Sequence, residues 1–392
     1  MHQFLSERIQ IMEESLTLAM TQKARELKAA GRETLSFSAG EPDFDVPQAV
    51  KDAAIAAIKS GANKYTNVSG TDELREAIAA KLKRENHIGY APKNIVVSSG
   101  AKHSLFQLFA VLLNHGDEVI IPTPAWVSYP EMARYHGAKD VLVRTKAEND
   151  FKMTPDELRA AISPRAKLVV ICSPSNPTGS VYSAEEIAAF GEILRGTNAF
   201  VVSDEIYEKL VYGVKFISTA AVSDLFDRTI TVNGLSKCAA MTGWRLGYLA
   251  TANAEIAKAV TKLQSQSTTN ASSIVQKAAI AALDGRADAD MEAMRKRFEA
   301  RRDLALSLFE KLDPLKTLKV VKPQGAFYLF VSHEAVEKDS MKFCLDLLEK
   351  TGVATVPGVG FEQEGYFRMS FATDEKSIEK GIHLIADFVK NY

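Results

Sequence analysis

The feature that most constrains the fold of this chain is a repeated alternation. Short apolar runs are each followed by a polar cluster and then by a longer amphipathic segment, the mark of βα units and of a mostly parallel sheet. "NIVV" (94–97) leads into "SSGAKHSLFQLFAVLL", "EVII" (118–121) into "PTPAWVSYP" and "KLVVIC" (167–172) into "SPSNPTG". "AFVV" (199–202) leads into "SDEIYEKL" and "TITV" (229–232) into "NGLSK". In open α/β sheets ligands bind outside the carboxyl ends of the strands, so these five tails are expected to converge on one site.

With 392 residues, a large domain and a smaller partner are the expected division. The composition changes near residue 285, where "DGRADADMEAMRKRFEARRDLALSLFEKL" reads as one long charged helix. We therefore expect a large domain over 46–285. A small α/β domain is expected from 286–392 together with 1–45, joined to the large one by that helix.

Basic side chains number 48 and acidic ones 49, and no long single-sign block occurs, which argues against a nucleic-acid or membrane-surface partner. Small-molecule partners are expected. No stretch approaches the roughly 20 apolar residues needed to span a bilayer. Glu7, Arg8, Glu13 and Glu14 interrupt the N-terminal segment, so it lacks the apolar core of a secretory signal. Cys172, Cys238 and Cys344 are odd in number, far apart and outside any CxxC or Cys/His cluster, so neither a disulfide framework nor a metal site is expected. A cytoplasmic location follows.

Lys237 follows the β-branched run "TITV" and precedes Arg245 by eight residues. A lysine is usually a solvated surface group. At the end of a buried strand and near an arginine, however, desolvation and like-charge repulsion favour the neutral amine, which can form a Schiff base. Such a lysine anchors pyridoxal 5'-phosphate. That cofactor also needs an acid at its pyridine nitrogen, a phosphate cradle and groups that orient the ring.

Other tails offer these groups, each beside an ordinary reading. Asp204 follows the apolar strand "AFVV", either as a helix N-cap or as the acid facing a pyridinium. Tyr207, three residues on, is expected one helical turn away on the same face. Gly100, Ala101 and Lys102 sit at a strand-to-helix junction, as a phosphate cradle or as a plain tight turn. Trp126 is a ring-stacking group or loop packing. Asn176, between two prolines, is a donor to a ring oxygen or a turn former. Arg368, in "YFRMSFA", is a two-pronged carboxylate clamp or half of a structural ion pair.

Together these residues resemble the class I aminotransferases of pyridoxal-phosphate fold type I. Eight ordered motifs carry the likeness: "AGEPDFDVP", "KYTNVSGTDELREAIA", "PAWVSYPEM", "SPSNPTG", "SDEIYE", "SKCAAMTGWRLGY", "PQGAFY" and "FRMSFAT". The similarity is greatest to the bacterial and plastid aspartate aminotransferase branch, some members of which also accept prephenate. The resemblance implies an α/β fold with a mostly parallel central sheet and a second, smaller α/β domain. It implies that Lys237 bonds the cofactor and moves the proton between substrate and cofactor, that Asp204 holds the pyridinium, that Tyr207 and Asn176 bond the ring oxygen, and that Trp126 stacks.

Arg245, Lys102 and the amides of Gly100 and Ala101 would surround the phosphate, joined by Tyr65 from a second subunit, so a homodimer is implied. Arg368, the Gly40 backbone and Asn176 would grip the α-carboxylate. Ser15, Thr17 and Lys102 would meet a distal carboxylate, and Lys146 would contact prephenate; the ordinary readings of Ser15 and Thr17 are helix opening, and of Lys146 a solvated loop. One departure is visible. Many relatives place a phosphate-binding serine three residues before the lysine, where this chain has Gly234, with Ser236 nearby as a substitute.

The implied reaction is ping-pong transfer of an amino group between aspartate and 2-oxoglutarate. Rival readings are a carbon–sulfur lyase or an aromatic or alanine aminotransferase on the same cofactor site. A regulator built on this domain would need an added DNA-binding module, for which no spare length or basic N-terminal segment is seen.

Overall fold

The computed structural model describes residues 4–222, 224–313 and 316–392. Its centre is a seven-stranded sheet: β1 (Ile95–Ser98), β2 (Glu118–Thr123), β3 (Lys139–Arg144), β4 (Ala166–Cys172), β5 (Phe200–Asp204), β6 (Thr229–Gly234) and β7 (Gly247–Thr251). In space they run β1-β7-β6-β5-β4-β2-β3. Only β7 is antiparallel to its neighbours; β2, β3, β4, β5 and β6 pair in parallel. Central strands are buried along nearly their whole length, whereas β3, at the edge, is exposed at both ends. A strand covered on both faces must be apolar at successive positions, which is why the five runs stood out in the sequence.

The smaller sheet is antiparallel, built from β8 (Lys319–Val320), β9 (Tyr328–Ser332), β10 (Val356–Pro357) and β11 (Tyr366–Ser370) in the order β10-β11-β9-β8. Five helices matter for the site: α1 (Leu16–Ala29), α2 (Ala101–Leu112), α3 (Asp288–Leu312), α4 (Ser340–Thr351) and α5 (Glu375–Lys390). The 25-residue α3 buries Met291, Met294, Phe298, Arg301, Arg302, Ala305 and Phe309, a stripe at three- and four-residue spacing. Its two buried arginines are not left unpaired. Arg301 forks onto both oxygens of Asp43 at 2.7 and 2.9 Å, tying the helix to the N-terminal segment.

That segment joins the smaller sheet's end of the molecule. Leu35–Ser36 pairs in parallel with Val353–Ala354, directly after Gly352 closes α4 in the left-handed region at φ 77°. A Cβ on Gly352 would lie 2.3 Å from the Glu33 carbonyl oxygen, so only glycine permits this approach. One apolar cluster runs from Phe343, Ile378 and Ile382 through Phe298 and Phe327 to Tyr207 and Leu210, just past the end of β5. It therefore packs the smaller sheet against the carboxyl edge of the large one. No helix among the described residues is long and apolar enough to cross a membrane.

Candidate active site

At that edge lies a cavity of about 540 Å³. The tails of β1, β2, β4, β5 and β6 all reach it, together with α1, the Gly40 loop, β9 and β11. Asp204 is the last residue of β5, in register with Cys172 on β4 and Val232 on β6. It is only 4% exposed. Its Oδ2 accepts from the Tyr129 hydroxyl at 2.7 Å and its Oδ1 from the Ile206 N–H at 3.2 Å. Burial pushes its pKa up, while these two donors and the Lys237 charge pull it back. No helix follows: residues 206–209 form a turn with i+3 bonds from Glu208 to Glu205 and from Leu210 to Tyr207. Tyr207 thus reaches the cavity from a turn, a correction to the helical reading of "SDEIYEKL". Its side chain is buried in the apolar cluster, so packing overrides helix propensity there.

Lys237 stands in the turn after β6, partly exposed to the cavity, and its Nζ donates to the Gly40 carbonyl oxygen at 2.5 Å. Burial first, then the Arg368 and Arg245 charges against an opposing Glu41, bring its pKa down to about 8. Arg368 is 2% exposed. It donates through Nη1 to Asn176 Oδ1 at 2.9 Å and through Nη2 to the Ser38 carbonyl oxygen at 2.7 Å, with its guanidinium 4.3 Å from the centre of the Tyr328 ring. Its Nε is buried with no hydrogen-bond partner. No carboxylate among the described residues pairs with it. The structure therefore holds a desolvated cation with unused donor capacity facing a cavity, which is the electrostatic requirement for binding an anion.

A second positive region lines the cavity. Gly100, at φ 91°, caps the N-terminus of α2, and a Cβ there would fall 2.6 Å from Arg245 Nη2. Helix amides, Arg245 and Lys102 crowd together, and burial and then Arg245 lower the Lys102 pKa. Lys102 Nζ lies 4.8 Å from the centre of the Trp126 ring. Ser236, buried, lines the same wall. Gly234 has no room for a side chain: a Cβ would meet the Leu246 carbonyl oxygen at 2.8 Å. Ser15 is the N-cap of α1 but makes no side-chain cap bond, and with Thr17 it lines the cavity beside Lys102.

The structure thus gathers Ser15, Thr17, Gly40, Ala101, Lys102, Trp126, Asn176, Asp204, Tyr207, Ser236, Lys237, Arg245 and Arg368 around one space. Two expected residues are not brought to it within one chain. Tyr65 is 87% exposed at the surface, and Lys146 is exposed in the loop after β3. Two residues that sequence reasoning passed over belong to the site. Tyr328 shares a hydroxyl hydrogen bond with Tyr207 at 2.9 Å, and Tyr129 holds Asp204. Both stand inside quoted motifs, "PQGAFY" and "PAWVSYPEM", which are the signal that marks them.

Residues 32–385 match the family described as aminotransferase class I and II. The chain is 46% identical to the aspartate aminotransferase of Bacillus subtilis, covering 99% of both chains. It is 44% identical to the aspartate/prephenate aminotransferase of Nitrosomonas europaea, covering 98% of this chain and 99% of that one. Among solved structures, the aspartate aminotransferase of Thermus thermophilus with maleate superposes with a TM-score of 0.94 at 41% identity, over 98% of this chain and 99% of that one.

Proposed function

This chain belongs to the class I and II aminotransferases, and from that premise we propose that it transfers the amino group between L-aspartate and 2-oxoglutarate, with pyridoxal 5'-phosphate seated in the cavity beside Lys237. The observation that carries this reading is the placement of three groups in one space: an amine of lowered pKa, a buried carboxylate on a strand end, and an arginine with no acid partner among the described residues.

The residues present fit that cofactor. The cradle at Gly100 would be filled by any Cβ, and it is lined by helix amides and two cations, as a phosphate requires. When bound, pyridoxal phosphate supplies an aldehyde for the substrate amine and a ring that accepts electrons from the bond broken at the α-carbon. Lys237 Nζ, with its pKa lowered to about 8, would take the proton from that α-carbon and deliver it to the carbon that had carried the aldehyde. Asp204 keeps the ring nitrogen protonated. Tyr207 and Asn176 would hold the ring oxygen and Trp126 would cover the ring. Arg368 fixes the α-carboxylate that every amino acid shares, with Asn176 and the Gly40 backbone. Ser15, Thr17 and Lys102 receive the distal carboxylate, a reading supported by the maleate, a dicarboxylate, in the Thermus relative.

We assign the enzyme to the cytoplasm as a homodimer, with Tyr65 of each subunit reaching the other's phosphate cradle. The regions 46–285 and 1–45 with 286–392 act as two domains linked by α3. The named activity of the Nitrosomonas relative supports prephenate as a further acceptor, with Lys146 assigned to contact it. A substrate panel on the purified protein tests the whole reading: turnover is expected with aspartate and 2-oxoglutarate, and arogenate from prephenate plus aspartate. Borohydride reduction and digestion should tag the Lys237 peptide. A tag elsewhere, or none with cofactor present, sinks the assignment.

A further inference from the structure

Among the described residues Asp204 is served by two donors, and they are unlike. The Ile206 N–H belongs to the turn and goes wherever the turn goes. The other is a side chain from a different element: Tyr129, in the helix Ser128–Tyr135, 75 residues away in sequence. The Tyr129 side chain is 1% exposed, and its hydroxyl is the only donor to Asp204 Oδ2 among the described residues. The same ring meets Trp126 edge-on, at 5.2 Å between centres and 84° between planes. One phenol thus touches both the carboxylate assigned to the ring nitrogen and the indole assigned to the ring face.

Its neighbour Cys172, opposite Asp204 in the strand register, turns its thiol to the Pro174 carbonyl oxygen at 3.5 Å. Burial and Asp204 push that thiol up to about 12, so it stays neutral. Burial and Asp204 also raise the Tyr129 hydroxyl well above its ordinary range. It therefore keeps its proton, which it donates in the hydrogen bond to the Asp204 carboxylate.

Resting on the proposed cofactor site, we propose that Tyr129 is a positioning residue that acts through Asp204. Its hydroxyl fixes the carboxylate and stabilises its charged form at the place where a pyridine nitrogen would sit, while its ring separately braces Trp126. A buried carboxylate stripped of one donor favours its neutral form and gains rotational freedom. Such a carboxylate holds a ring nitrogen less firmly.

Tyr129→Phe separates the two roles, since it removes the hydroxyl and leaves the ring edge on Trp126. The equilibrium dissociation constant for pyridoxal phosphate is expected to rise about tenfold or more, and kcat to fall with little change in the KM for aspartate. The decisive comparison is a double-mutant cycle. In the Asp204→Ala background the same Tyr129→Phe change should alter cofactor affinity by less than about twofold. An equal loss in both backgrounds, or none in the wild-type background, overturns the inference. Should Tyr129→Phe not fold, fluorotyrosine at 129 in the full protein reads the contact directly. Its fluorine resonance should shift when Asp204→Ala removes the acceptor, and should shift on cofactor loading only while Asp204 is present; no shift with Asp204→Ala overturns the inference as well. If the unmutated protein takes up no cofactor at Lys237, it is the functional reading that fails.

Discussion

Arg368 donates to Asn176 Oδ1 at 2.9 Å across 192 residues of sequence, joining the smaller sheet to the loop after β4. Because the guanidinium has no acid partner among the described residues, the pair is oriented but not neutralised, and on the proposed function a substrate carboxylate would complete it. Arg368→Lys keeps the charge but loses the planar fork. We expect kcat/KM to fall by roughly 2–5 kcal/mol of transition-state stabilisation, similarly for aspartate, alanine and an aromatic amino acid. A loss confined to one substrate, in steady-state assays, would show that Arg368 does not bind the group they share.

Lys102 should behave in the opposite way. It lines the cavity with Ser15 and Thr17 and sits over the Trp126 ring. Lys102→Ala is expected to lower kcat/KM for aspartate on the order of tenfold or more while changing alanine far less, because only a dicarboxylic acid has a second charge to place there. Equal losses for both amino acids would leave Lys102 with the phosphate alone and remove it from the distal-carboxylate group.

Lys237 carries a pH signature in the cofactor-free protein. Its amine binds a proton less tightly when folded, at about 8, than in the unfolded chain, near 10.4. Below about pH 8 both states are charged and the folded state bears the full cost. Between these values the unfolded chain binds more protons, so stability rises with pH. Lys237→Met removes the cost outright. Its Tm is expected to exceed that of the unmutated protein at pH 7, with the gap closing between about pH 8 and 10.4. A gap independent of pH would mean that the amine is not desolvated.

Much of this site was legible because a strand buried on both faces has to be apolar throughout, so that polar tails stand out against β1, β2, β4, β5 and β6. β3 escaped notice as an edge strand with charged ends, "KDVLVR", and β7 because it opens on glycine and runs against its neighbours only 13 residues after β6 ends. Paired segments of two residues, such as Leu35–Ser36 with Val353–Ala354, are too short for periodicity to resolve. Tyr129 and Tyr328 were hidden for another reason. An aromatic side chain in an apolar run reads as core, and only the tertiary fold reveals that their hydroxyls meet Asp204 and Tyr207. Asn176 and Arg368, by contrast, stood out as polar groups in a rigid loop and an apolar strand.

Gly234 offers the sharpest separation of resemblance from physics. Installing the serine that many relatives carry three residues before the lysine, as Gly234→Ser, looks like a repair of the phosphate cradle. Yet Gly234 faces Gly247 on the antiparallel ladder, and its Cβ would press on the Leu246 carbonyl oxygen at 2.8 Å, Gly247 Cα at 3.0 Å and Ile206 Cδ1 at 3.3 Å. Two of these are backbone atoms at the start of β7 and cannot swing aside. Gly247 is itself pressed: a Cβ there would lie 2.2 Å from the Ala101 amide nitrogen, so β7 has no slack towards α2. We therefore expect Gly234→Ser to destabilise the protein by about 1–3 kcal/mol and to leave cofactor affinity unimproved or weaker. Denaturant midpoints and a pyridoxal phosphate titration measure the two effects, and a variant that is both as stable and tighter-binding would show that β6 and β7 can part.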